Sequence, residues 1–217
     1  MNIKVNGVNL YYEEYGEGKP ILLIHGNSES LDIFDKLIPE LSKEYKVYAI
    51  DMRCHGKSEK TKQISYDLLS EDIVAFINEL NIEKPIIYGF SDGGIEALLI
   101  AYRYPNLLSR IIISGANINP DGINGIDKFM MRLSYFFRRD KRTKMMIKEP
   151  NITQEDLAKI VIPVNIIAGE YDAIREAHTR VIHKWINGST LYIVPREDHG
   201  SYIIHSDKIY KILKQYI

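Results

Sequence analysis

Gly89-Phe90-Ser91-Asp92-Gly93 lies between an apolar run, Pro85-Ile86-Ile87-Tyr88, and a stretch from Gly94 to Tyr104 whose apolar residues recur at helical spacing. A Gly-x-Ser-x-Gly pentapeptide alone occurs by chance in many turns. With a strand before it and a helix after it, the pattern is that of a nucleophile elbow. Such a turn strains the backbone at Ser91, and the flanking glycines leave room for it. The Ser91 hydroxyl is then exposed, and the backbone N–H of Asp92 stands at a helix N-terminus, where unpaired donors and the helix dipole favour developing negative charge.

Outward from the elbow, strand-like and helix-like segments alternate. Ile21–Ile24 reads as strand, Phe34–Tyr45 as helix, Val47–Ile50 as strand and Tyr66–Leu80 as helix. After the elbow come strands at Arg110–Ser114, Val164–Ala168 and Leu191–Val194, a helix at Arg175–Ile186, and a closing helix. At the front, Ile3 to Tyr12 alternates around Asn6-Gly7, the strongest short hairpin signal. The expectation is an α/β fold: a mostly parallel sheet of about eight strands with an antiparallel N-terminal hairpin and helices on both faces.

In an open parallel sheet the ligand site lies beyond the carboxyl ends of the strands, so each strand exit is informative. Ile21–Ile24 exits into His25-Gly26-Asn27-Ser28. There the glycine lets the backbone approach a ligand, and the N–H of Asn27 becomes a second oxyanion donor beside that of Asp92. His25 fits a bracing role better than that of a base. Asp51 to Ser58 reads as an internally hydrogen-bonded loop. The last two exits supply Gly169-Glu170-Tyr171-Asp172 and Glu197-Asp198-His199-Gly200. Ser91, Asp172 and His199 thus follow the chain order of a serine triad assembled on such a sheet. Glu170 and Asp198 compete with Asp172 for the acid. Among the other histidines, His178 and His183 fall in a helix and His205 in the closing helix, which leaves His199 as the base.

Composition narrows the partners. The chain has 217 residues, 45% of them hydrophobic and 26% charged, as expected of one globular domain. Its 28 basic and 29 acidic side chains leave a formal charge of −1, which offers no global attraction for nucleic acid. A lone cysteine, Cys54, excludes an internal disulfide, and the start of the sequence has no signal-peptide pattern. A cytoplasmic protein acting on a small acyl-bearing molecule is expected, with no cofactor, no metal, no nucleic acid and no stable membrane association. The sequence leaves the oligomeric state open.

These motifs together resemble the α/β-hydrolase superfamily, and most of all its compact bacterial serine hydrolases of the esterase and lipase type. The resemblance rests on His25-Gly26-Asn27, Asp51-x-Arg53-x-His55-Gly56-x-Ser58, the elbow through Gly94, Gly169-Glu170-x-Asp172 and Asp198-His199-Gly200. Cys54 departs from the family's usual loop. Serine at the elbow, in place of aspartate, disfavours the family's dehalogenase and epoxide hydrolase chemistry.

The resemblance implies a single domain over 1–217 in which 117–151 forms a short lid. There Ile126, Phe129, Met130, Leu133, Phe136 and Phe137 share one helical face, ahead of the basic run Arg138 to Lys144. A helix packed across the domain and a pocket-lining lid have this geometry in common, a basic amphipathic helix on a membrane surface is the less favoured third reading, and Phe129, Met130 and Leu133 are the expected pocket residues. The implied activity is cleavage of a small carboxylic ester or thioester through an acyl-enzyme. The alternative is a ligand-binding or regulatory protein that keeps the triad and turns over little.

Overall fold

The computed structural model describes residues 1–217. Asn6 and Gly7 take left-handed φ values of 45° and 76°, the twist that a two-residue hairpin needs. They join β1 (Asn2–Val5) to β2 (Val8–Tyr15). The remaining strands are β3 (Lys19–Ile24), β4 (Tyr45–Asp51), β5 (Ile86–Phe90), β6 (Arg110–Ser114), β7 (Val164–Tyr171) and β8 (Thr190–Asp198). They form one sheet in the order β1-β2-β4-β3-β5-β6-β7-β8, antiparallel at β1 and β2 and parallel from β4 to β8. The central strands read as unbroken apolar runs, such as Ile21–Ile24 and Ile111–Ile113, because both of their faces are covered.

The helices are α1 (Ile38–Leu41), α2 (Tyr66–Glu79), α3 (Asp92–Arg103), α4 (Gly125–Arg138), α5 (Lys141–Lys148), α6 (Gln154–Leu157), α7 (Glu176–Trp185) and α8 (Lys208–Leu213). Alternate strand residues feed two cores. Ile111 and Ile113 join the side packed by α2, α3, α6 and α7, while Ile112 joins the side packed by residues 31–41 and α8. Each fully buried Leu or Phe, such as Leu98 and Phe76, contributes about 1.5–3 kcal/mol relative to exposure. These two layers clamp the sheet and hold its strand exits in place.

Two expectations need correction. The helix expected over Phe34–Tyr45 is a 3-10 turn, Leu31–Phe34, followed by the single-turn α1. Pro39 has no N–H and is tolerated only in a helix's first turn, so it restarts the helix there. His205 lies outside the closing helix, in a turn at φ 51°, where it faces Asp35.

Candidate active site

Strand β5 runs straight into α3, and Ser91 between them has φ 52° and ψ −113°. A non-glycine residue held in this region costs on the order of 1–3 kcal/mol, and the neighbours must impose it. They do so by close packing. A Cβ on Gly89 would lie 2.2 Å from the carbonyl oxygen of Gly93, and one on Gly93 would lie 2.3 Å from that of Ile24. Only glycines let strand, helix and β3 approach this tightly, so the turn stays sharp and the Ser91 side chain stands clear of the sheet.

The exits of β7 and β8 bring Asp172 and His199 to the same rim. His199 Nε2 lies 3.1 Å from Ser91 Oγ, and His199 Nδ1 lies 2.6 Å from Asp172 Oδ1. Backbone N–H groups fix the acid in turn: Ile174 donates to Oδ1 at 2.9 Å and Gly169 to Oδ2 at 3.1 Å. Glu170 instead accepts from the N–H of Arg196, and Asp198 caps the turn through Gly200 and Ser201. Neither competitor hydrogen-bonds to the imidazole. Burial pulls the His199 imidazole down in pKa, but the Asp172 hydrogen bond and charge, with help from Glu29 and Asp127, outweigh it and hold the ring above its ordinary value.

The two amides proposed for the oxyanion come from separate loops. Neither the N–H of Asn27 nor that of Asp92 is used by a turn or loop hydrogen bond. Their side chains join the loops: Asn27 Nδ2 donates to Asp92 Oδ2 at 2.9 Å, and the Tyr66 hydroxyl donates to Asp92 Oδ1 at 2.7 Å. Asp92 is buried, and burial raises its pKa against these two hydrogen bonds. The His25 ring lies behind, with Nε2 accepting from the N–H of Met52 at 3.1 Å. Burial lowers His25 to about 4 and His55 to about 3, so both rings are neutral in the working range. Asp51 accepts from the backbone of Leu31 and Lys57, and Arg53 makes two 2.7 Å bonds to buried Asp72.

Sequence reasoning missed several residues. Gly115 at the β6 exit, φ 63°, leaves room for the imidazole, since a Cβ there would meet His199 Cε1 at 2.6 Å. The Ser114-Gly115 pair at a strand exit was the available signal. Glu29 accepts from the N–H of Gly26 at 2.9 Å, and burial pushes its carboxyl up to about 7. Tyr66 gave no signal, because its partner is 26 positions away.

A cavity of about 210 Å³ opens beside Ser91 and His199, with Ile123, Asp127, Met131 and Met146 among its walls. The expected pocket residues must therefore be corrected. Phe129, Met130 and Leu133 are 63%, 54% and 39% exposed and do not line it. Residues 127 and 131 lie one turn apart on the opposite side of α4 from that stripe, and this is the side turned to the site. A larger cavity of about 430 Å³ lies at the other end of the sheet, by Lys19, Tyr45, Ile86 and Arg110 at the amino ends of four strands. Ligands of parallel sheets bind at the carboxyl ends, so the smaller cavity is the relevant one. No group of three or more His, Cys, Asp or Glu is arranged to hold a metal ion.

Comparison with known proteins agrees with this architecture. A family model described as the alpha/beta hydrolase fold matches residues 19–144. Serine hydrolase BPHL of Homo sapiens is 28% identical over 247 residues, covering 99% of this chain and 85% of the human protein. Among solved structures, the enol-lactonase of Burkholderia xenovorans LB400 superposes with a TM-score of 0.83 at 20% identity, covering 99% of this chain and 98% of the enzyme. A structure from a study of Nitrososphaera gargenis carboxylesterases gives 0.85 at 21% identity, covering 100% and 97%. At these identities the solved structures are similar in fold alone.

Proposed function

This chain belongs to the α/β-hydrolase family, and from that premise we propose that it is a serine hydrolase that cleaves a small carboxylic ester or thioester through an acyl-enzyme. The observation that carries the reading is the continuous hydrogen-bonded line from Asp172 through His199 to Ser91. Ser91 Oγ attacks the carbonyl carbon while His199 Nε2 takes its proton. Asp172 holds the Nδ1–H tautomer and stabilises the imidazolium. The amides of Asn27 and Asp92 donate to the oxyanion, a contribution worth roughly 3–4 kcal/mol per donor in comparable sites. His199 then passes the proton to the departing alcohol or thiol. Water, deprotonated by the same ring, releases the acid and restores Ser91.

Residues 117–151 are the lid of this site in our reading, since Asp127, Met131 and Met146 of α4 and α5 face the cavity. At about 210 Å³ it is smaller than the ~300–1,000 Å³ of sites that hold drug-sized ligands, which favours a short acyl group. Serine hydrolase as the name of the human relative supports the same chemistry. Buried, unpaired Cys54 supports a reducing cytoplasm as its setting.

The test is a fluorophosphonate probe combined with a chain-length series of p-nitrophenyl esters. Labelling at Ser91 with rapid turnover of the short esters is the expected result. Labelling without turnover would identify a ligand-binding protein instead, and absence of both would reject the nucleophile.

A further inference from the structure

We propose that the outer face of α4 is a docking surface for an anionic lipid membrane. The expectation of no stable membrane association rests on the whole chain's formal charge of −1, which says nothing of how charge and apolar surface are distributed along α4. No residue of α4 is buried. Ile126, Phe136 and Phe137 are 78%, 64% and 74% exposed, and with Phe129, Met130 and Leu133 they form one continuous strip along four turns. Contiguous exposed apolar surface of this kind marks a site of association with a protein or a membrane.

Charge decides between the two. Residues 125–149 carry eight basic and three acidic side chains, a net +5 in a chain whose total is −1. Arg132, Arg138, Arg139, Lys144 and Lys148 have no carboxylate within ion-pair distance, and Arg139 lies over the Tyr135 and Phe136 rings. Arg132 and Arg139 border the apolar strip on one side along the helix. An antiparallel two-fold pairing of two copies through this strip would set the Arg132 and Arg139 borders against each other. An anionic lipid surface satisfies both parts at once. The apolar strip enters the headgroup and acyl boundary, and the cations meet lipid phosphates, as in helices that lie in the interface. The strip is on the far side of α4 from Asp127 and Met131, so the membrane contacts the back of the helix while the cavity stays walled by its inner side.

The experiment is sedimentation of the full chain with phosphatidylcholine vesicles, with and without phosphatidylglycerol, at low and high salt. We expect the wild type to pellet with the phosphatidylglycerol vesicles at low salt and to be released by high salt. Phe136→Asp/Phe137→Asp should remain in the supernatant. Arg132→Ala/Arg139→Asn should partition less by roughly fivefold per cation removed, with asparagine chosen because Arg139 has a φ of 53° that it tolerates. Circular dichroism confirms that both variants fold. A wild type that ignores phosphatidylglycerol vesicles at low salt, a Phe variant that binds as well as wild type, or a dimer that buries the strip in the absence of lipid would each overturn the proposal. Sedimentation requires no turnover, so this result is independent of whether the chain hydrolyses esters.

Discussion

Asp172 Oδ1 lies 2.6 Å from His199 Nδ1, so Asp172→Asn should leave the fold intact yet offer the ring an amide, turning the imidazole to the wrong tautomer. A loss in kcat on the order of 10⁴ is expected from steady-state kinetics, as in other triads. The pH profile follows from the same contacts. His199 must be neutral to accept the Ser91 proton, and Asp172, Glu29 and Asp127 hold its pKa above the ordinary value of about 6.5. Activity should therefore fall as pH drops through a midpoint above 6.5, read from kcat/KM against pH. Glu29 itself keeps its proton up to about pH 7, so its charge acts on the ring only above that value, and Glu29→Gln should lower the midpoint only as far as it lies above pH 7. That variant should also change stability with the opposite sign to an ordinary carboxylate. Native Glu29 keeps its proton up to about pH 7, whereas the unfolded chain loses it near 4.5. Stability contributed by this group thus declines between those values, and Glu29→Gln should flatten that part of a denaturation series. At this scale Ser91, Asp172 and His199 were legible because each follows a strand whose end the apolar pattern marks. Glu29 and Tyr66 were not, because their roles arise from neighbours distant in sequence.

Elements carry the site by how closely they approach. Gly115 follows β6 with φ 63°, and its missing side chain is the space that the His199 ring occupies. Gly115→Ala should displace the imidazole from Ser91 and lower kcat by a factor of about 10², while also melting earlier, since alanine is strained at this φ. The insert makes a different point. Helical spacing located α4 correctly, but periodicity shows only that a face is apolar and not what that face meets. That basis puts Phe129, Met130 and Leu133 in the pocket, whereas Asp127 and Met131 are the residues turned inward. Met131→Ala should widen the cavity and shift the preferred ester toward longer acyl chains in the p-nitrophenyl series. Pro39 taught a similar lesson within the segment 34–45, where local backbone chemistry overrode an apolar pattern.

Across the whole molecule, the sheet order places β5 next to β3 and β6, so four strand exits deliver Asn27, Ser91, Gly115 and Asp172 to one rim. The alternation of strands and helices made this arrangement readable without coordinates, because parallel pairing requires crossover helices. The loop after β4 is less forgiving. Arg53 and Asp72 pair with side-chain exposures of 8% and 0%, so Arg53→Ala would strand a buried carboxylate at a cost of about 3–5 kcal/mol, measurable by urea denaturation. The division of charge between residues 125–149 and the remainder, +5 against −6, gives the protein a permanent electric moment with its positive pole at the insert. The field of any negatively charged object exerts a torque on that moment before contact. The molecule therefore arrives already turned, with its orientation set during diffusion and lost as added salt shortens the reach of the field.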